Sequence, residues 1–262
     1  MMIKKILWGI VFLISLYVGV LMFVNKNQRN MQYEPGSSAI ALSDVKVERA
    51  KIVVISTGFL DVHGWYAPPI GNKPTIIYFK GNEGSFSEEY ERLAEISKDG
   101  YGFLAFDYRG FPMSPGKINQ ENVLNDALAV FDWVAKENSN IVLFGRSLGS
   151  GPATYVASLR DAKALILETP FTSAVDVAKK RFPFLPVANL LKDKYPVNEW
   201  IKDVNEPVFV GHGTSDKVIP VNYGEQVYAL APNGKKLWIV ENADHGNLWQ
   251  NGLWTQIKEF LE

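Results

Sequence analysis

The chain has 262 residues, 47% of them hydrophobic, with 27 basic and 28 acidic side chains and no cysteine. A chain of that size buries enough surface to fold without disulfides or a structural metal. The missing cysteines exclude disulfide frameworks, thiolate metal sites and cysteine nucleophiles. A net charge of −1 argues against a nucleic-acid partner, whose domain would normally be basic.

Residues 1–25 form a separate object. Ile6 to Val24 is nineteen residues without a charge, about 28 Å as helix and close to the ~30 Å hydrocarbon core of a bilayer. A cleavable signal would have a shorter apolar region followed directly by a small-x-small site. Here Ala39-Ile40-Ala41 lies far beyond the run. A core helix fits poorly, because the stretch is apolar on every face. The segment therefore reads as a single-pass membrane anchor, and Lys4 and Lys5 ahead of it favour a cytoplasmic N-terminus with an exported globular domain. Residues 26–44, polar and with Pro35, Gly36, Ser37 and Ser38 at their middle, read as a tether.

From residue 45 to 262, short apolar runs alternate with helical patterns. Val45–Ser56 and Leu60–Ala67 suggest an antiparallel pair turning at Gly58. Thr75–Phe79 is a buried strand, Ser87–Lys98 a helix, and Gly102–Phe106 the next strand. Leu124, Ala127, Leu128, Phe131 and Val134 define the inner face of a helix over Glu121–Lys136. Ile141–Phe144, Ala164–Leu167, Val208–Gly211 and Leu237–Val240 are four more strands, and Leu248–Leu261 is the last helix. Uniformly apolar strands separated by helices predict a mostly parallel eight-stranded α/β sheet covered on both faces. Ligands of such sheets bind beyond the carboxyl ends of the strands.

The strand Ile141–Phe144 runs directly into Gly145-Arg146-Ser147-Leu148-Gly149. A serine on a tight strand-to-helix turn needs neighbours without bulk, and Gly151 and Pro152 suit the helix that follows. A serine hydroxyl needs a general base, and the chain has only three histidines. His63 lies within an early strand and His212 precedes the acid of its own loop. His245 follows the last strand and is the expected base. Asp216, after the strand ending at Gly211, is the leading orienting carboxylate, with Glu168 at the end of Ala164–Leu167 as its rival. Asp244 adjoins His245 and would point away from it, and Asp107 suits a role in its own loop with Arg109. The order Ser147, Asp216, His245 is that of an α/β-hydrolase.

The motifs extend further. Lys80-Gly81-Asn82-Glu83-Gly84, Asp107-Tyr108-Arg109-Gly110 with Ser114 and Gly116, Gly145 to Pro152, Glu168-Thr169-Pro170-Phe171-Thr172-Ser173, His212-Gly213 to Asp216 with Ile219-Pro220, and His245 appear in that order. In these, residues 50–262 resemble the α/β-hydrolase superfamily, and within it the short-capped, membrane-anchored serine hydrolases. Lys80 stands where that family usually has histidine, and Pro112 where it usually has glycine. The resemblance implies an oxyanion hole from the backbone N–H groups of Leu148 and Asn82, and a short helical cap. Phe171 to Asn205 is too long for one crossover and carries Phe182, Phe184, Leu185, Val187, Leu190, Leu191, Tyr195 and Trp200 between prolines. It reads as a cap over the site, with Phe171, Phe182 and Phe184 against the substrate. The alternative is a segment that hides the same residues in the core.

The expected activity is that of a serine hydrolase cleaving esters or thioesters with an apolar acyl group, without cofactor or metal. A peptidase using the same residues and a membrane-tethered binding protein without turnover are the alternatives. Aspartate-nucleophile dehalogenase or epoxide-hydrolase chemistry is excluded by the serine at 147. The partners expected are a small ester or acyl substrate and the membrane. Every expected catalytic residue lies past the tether, so the chain from about Tyr33 onward is expected to be soluble and to hold full activity on water-soluble esters.

Overall fold

The computed structural model describes residues 2–58 and 60–262. Eight strands form one sheet: β1 Lys51–Ser56, β2 Asp61–Ala67, β3 Thr75–Phe79, β4 Gly102–Phe106, β5 Ile141–Arg146, β6 Ala164–Glu168, β7 Val208–Gly213 and β8 Gly234–Val240, in the order β1-β2-β4-β3-β5-β6-β7-β8. β1–β2 and β2–β4 pair antiparallel, and all later neighbours pair parallel. β1 turns into β2 through Gly58, whose φ of +87° suits a residue without a side chain.

The parallel strands are apolar along their whole length because both faces are covered. From β3 to β7 successive residues alternate between two cores. Ile77, Phe79, Leu143, Leu165, Leu167, Val208 and Val210 meet helices α3 (Gln120–Glu137), α4 (Ser150–Ala157) and α8 (Val221–Leu230). Ile76, Tyr78, Val142, Phe144, Ile166 and Phe209 meet α2 (Tyr90–Lys98) and α9 (Leu253–Leu261). Each such side chain contributes roughly 1.5–3 kcal/mol by leaving water. A single polar replacement in β3, β5 or β6 would therefore break the layer.

Several boundaries differ from the sequence reading: β1 begins at Lys51 rather than Val45, and β8 at Gly234 rather than Leu237. α2 is entered through a tight turn at Phe86–Glu89 capped by Ser85. α9 starts at Leu253 rather than Leu248, because Gly252 takes a left-handed φ of +95°. β7 runs to Gly213, which puts His212 inside the strand.

The N-terminal segment differs more. Helix α1 spans Met2–Gln32 and is the one helix among the described residues that is long and apolar enough to cross a membrane. No residue of its uncharged run up to Val20 is buried. The stretch 26–44 is not a loose tether, because its polar side chains have specific partners. Arg29 Nε lies 3.0 Å from Asp193 Oδ2, and Gln28 donates to the Leu190 carbonyl at 3.1 Å and accepts from the Lys192 N–H at 2.7 Å. Gln32 donates to the Asp193 carbonyl at 3.0 Å. Tyr33 is buried, its hydroxyl 3.0 Å from Asp193 Oδ2 and 2.9 Å from the Tyr195 hydroxyl. The helix therefore continues past the apolar run and docks on the segment between β6 and β7.

That segment, 171–205, holds α5 (Ala174–Arg181), α6 (Val187–Leu190) and α7 (Val197–Trp200). It divides in two. Tyr195, Val197, Ile201 and Val204 are buried in the main core, and Trp200 packs on Tyr155 with ring centroids 5.0 Å apart. Residues up to Leu191 border the cleft described below.

Candidate active site

Ser147 sits at the junction of β5 and α4 with φ +51°, a strained conformation for a residue with a side chain. The glycines around it leave no choice of residue. A Cβ on Gly149 would lie 1.9 Å from the Phe79 carbonyl oxygen, and one on Gly145 would lie 2.5 Å from the Gly149 carbonyl oxygen. A Cβ on Gly151 would meet the Tyr195 ring at 2.7 Å, so this glycine makes room for the inter-strand segment rather than for the sheet.

His245, in the loop after β8, lies with Nε2 2.9 Å from Ser147 Oγ and Nδ1 2.7 Å from Asp216 Oδ2. The carboxylate can only accept, so Nδ1 carries the proton and Nε2 faces the serine hydroxyl as an acceptor. Asp216 follows β7. Burial would raise its carboxyl, but hydrogen bonds from His212 and His245 and from the Ile219 N–H outweigh that and hold it well below the usual carboxylate range. It is therefore ionised at neutral pH.

The competing acids are engaged elsewhere. Glu168 is fully buried and paired with Arg92, which stacks over Trp249 at 4.3 Å. Arg146 and Arg92 also flank Glu89, which accepts from the Tyr78 hydroxyl at 2.7 Å. Asp244 accepts from the Gly246 N–H at 2.9 Å and turns into its own loop. Asp107 accepts from the Phe86 and Met113 N–H groups at 2.9 and 3.0 Å, whereas Arg109 pairs with Asp126. His63 lies half-buried in β2, away from this site.

Leu148 is the second residue of the turn after β5, so its N–H has no partner within the helix. Asn82 belongs to the loop after β3 and borders the same cleft as Ser147 and Leu148. That loop is braced from two sides. Lys80, fully buried, donates to the carbonyls of Gly81 and Glu83 at 3.1 Å each and lies 3.7 Å from the centre of the Phe111 ring. Burial lowers its amine to about 8. From outside, the Glu34 N–H donates to the Asn82 carbonyl at 2.9 Å and the Gly84 N–H to the Glu34 carbonyl at 3.0 Å. Residues just after α1 thus pair with the loop like a strand.

Ser147 opens onto an apolar cleft of about 910 Å³, open solvent included. One wall is Phe171, Ala174, Val177, Ala178, Phe182, Val187 and Leu191; the other is Val24, Gln28, Met31 and Gln32 of α1. Phe171 and Phe182 thus border the cleft that holds Ser147. Phe184 does not: it is 89% exposed and outside the cleft. The physical reason is Pro183. The residue before a proline avoids helical geometry, so Phe182 (φ −131°, ψ 65°) ends α5 and the chain turns outward through Phe184.

Two features escape a sequence reading. His212 is not merely a turn residue: its Nε2 lies 2.9 Å from the Ile219 carbonyl and 3.2 Å from Asp216 Oδ2, so it positions the acid. The usable signal is its spacing of four residues ahead of Asp216 at a strand end. The α1 wall leaves no local signal.

A largely parallel sheet with a serine on a glycine-flanked strand-to-helix turn, and a histidine and carboxylate reaching it from later strand ends, defines the α/β-hydrolase class of site. Comparison with known proteins agrees. The alpha/beta hydrolase fold family model matches residues 74–194. Uncharacterized protein Rv2307c of Mycobacterium tuberculosis is 32% identical over 236 residues, 87% of this chain and 84% of that protein. Lysophosphatidylserine lipase ABHD12 of Rattus norvegicus is 33% identical over 190 residues, 64% of this chain and 48% of that protein. The Pyrococcus furiosus esterase Pf2001 shares the fold at a TM-score of 0.70 and 24% identity, over 87% of this chain and 98% of that one. The chain belongs to the α/β-hydrolase family.

Proposed function

We propose that the protein is a serine hydrolase that cleaves carboxylic ester or thioester bonds through an acyl-enzyme, with preference for an apolar acyl group. The observation that carries this reading is the continuous set of hydrogen bonds from Ser147 Oγ through His245 to Asp216 at the floor of an apolar cleft. His245 Nε2 takes the serine proton as Oγ attacks the acyl carbon. The tetrahedral oxyanion is held by the N–H groups of Leu148 and Asn82, each such donor being worth ~3–4 kcal/mol of transition-state stabilisation. The imidazolium, steadied by Asp216, protonates the leaving alkoxide or thiolate, and water enters by the reverse route.

The apolar walls favour an ester with a fatty acyl chain over a peptide, whose polar backbone would find few partners there. The names lipase and esterase among the similar proteins point the same way. In this reading α1 is a single-pass anchor, with the hydrolase domain on the side opposite Lys4 and Lys5. The test is fluorophosphonate labelling of wild type and Ser147→Ala beside a panel of esters of graded acyl length. Labelling of wild type alone, with turnover rising from acetate toward longer chains, is the expected result. Labelling that survives Ser147→Ala would remove the nucleophile, and folded wild type that never labels would favour a binding protein.

A further inference from the structure

Three features outside the chemistry meet at one place: the exposed Phe184, the basic end of α5, and the uncharged run of α1. The Tyr17 hydroxyl donates to the Phe184 carbonyl at 3.1 Å. Tyr17 lies seven residues before Val24, the last residue of the uncharged run. At 1.5 Å per residue that is about 10 Å along the helix. If the run lies in hydrocarbon, the loop touching Tyr17 lies at that depth too. Segments that rest in a membrane interface bury their apolar side by 5–10 Å, which is this depth.

The loop has the composition such a position requires. Phe182-Pro183-Phe184-Leu185-Pro186 carries no charge, and Lys179, Lys180 and Arg181 precede it as cations at headgroup level. Its backbone is also nearly self-sufficient. Phe182, Leu185 and Val187 donate to the carbonyls of Ala178, Phe182 and Leu185 at 2.8, 3.1 and 2.8 Å, and the two prolines have no N–H to satisfy. The cleft is continuous with this place: Phe182 and Arg181 border it on one side and Val24 on the other.

We infer that the loop Arg181–Pro186 inserts into the bilayer beside α1, so that the cleft opens into the acyl layer and takes its ester from the membrane rather than from water. The substrate class is a membrane-resident lipid ester whose acyl chain passes between α1 and the loop toward Ser147. This rests on the hydrolase and anchor readings above, and the experiment separates their failure from its own.

The chain has no cysteine, so Phe184→Cys accepts one environment-sensitive fluorophore, and Asp161→Cys, exposed just before β6 at the opposite edge of the sheet, provides the control. Both go into the full-length chain in vesicles of phosphatidylcholine doped with phosphatidylglycerol. Lipids spin-labelled on the acyl chain should quench the probe at 184 severalfold more than the probe at 161. Equal quenching overturns insertion. A probe shielded from aqueous iodide yet unquenched by the acyl labels would assign the loop to a protein partner, a second copy included, and overturns it equally.

The second measurement is the ratio of turnover on a vesicle-embedded long-chain ester to turnover on a water-soluble short ester, in which any inactive fraction cancels. Phe184→Asp should lower that ratio by about tenfold or more, since a carboxylate resists insertion. An unchanged ratio overturns delivery from the membrane. Wild type that hydrolyses neither ester overturns delivery together with the hydrolase reading, whereas lost quenching with turnover intact overturns insertion alone.

Discussion

The two halves of the site are built from different material. The half proposed to react stands on the carboxyl edge of the sheet: Ser147 after β5 and Asp216 after β7, on strands whose side chains fill both cores, and His245 after the partly buried edge strand β8. The binding half is a helix end facing short helices, joined by hydrogen bonds at Arg29, Gln28 and Gln32. Dense packing fixes the first to the few tenths of an ångström that proton transfer needs. The second has fewer buried residues and, in the proposed reaction, would adapt to chains of different length. In the proposed reaction, position is fixed where bonds would change, and tolerance is kept where an alkyl chain would fit.

Substitutions at the sheet edge should therefore act on kcat, and those at the wall on chain-length preference. The largest expected effect is Ser147→Ala or His245→Ala, each lowering kcat by ~10³-fold or more, with the double variant little worse because the pair acts as a unit. Steady-state kinetics on a short ester would show it, and independent losses that multiply would break the shared role. Asp216→Asn should cost ~10²-fold or more through the wrong imidazole tautomer. Glu168→Gln should instead leave kcat within severalfold and destabilise by about 3 kcal/mol, because it takes from the buried Arg92 the nearer of its two carboxylate partners. The reverse pattern in paired kinetics and urea melts would move the acid to Glu168.

Lys80 belongs to the rigid half and makes a pH prediction. Burial lowers its amine from 10.5 to about 8 in the folded chain. Between those values the unfolded chain holds a proton that the folded chain has lost, so stability rises with pH across that window. Below pH 8 the cost of the buried charge is fully present. Urea melts at pH 8 and pH 10 should show wild type gaining about 2 kcal/mol relative to Lys80→Met. Parallel curves for the two proteins would show that the amine is already as well solvated as in the unfolded chain.

The wall gives smaller effects. Removing residues 1–32 takes Val24, Gln28, Met31 and Gln32 from the cleft. It should lower kcat/KM for long acyl esters by about tenfold, the worth of two buried methylenes, and acetate esters by much less. Full activity at every length would return the segment to a passive tether. Met31→Trp should shorten the preferred chain by about one methylene, or roughly fourfold at the former optimum. A uniform loss across lengths would place Met31 outside the acyl path.

The reacting half is the legible half. Strands buried on both faces appear as apolar runs, a serine turn needs glycines at set offsets, and three histidines make elimination workable. His212 is misplaced only because β7 runs two residues beyond its apolar stretch, through Gly211-His212-Gly213, whose glycines look like loop. The wall leaves no local trace. Gln28 and Arg29 satisfy themselves on Leu190 and Asp193, more than 160 residues away, and polar residues whose partners are that distant cannot be told from a solvated linker. Phe184 fails for another reason: aromatic content marks a segment as apolar, but the prolines decide which ring faces the cleft.

The contact between Arg29 and Asp193 closes a loop of 164 residues. The helix that carries Arg29 is made long before its partner, which appears only after β6 has emerged. Closure of so long a loop is slow compared with helix formation and strand pairing nearby in sequence, so an element made before the sheet is among the last to be seated. His245 emerges later still, 98 residues after Ser147. In the proposed reaction the order of synthesis thus protects the growing chain: Ser147 lacks its proposed base until both walls of the cleft have been made.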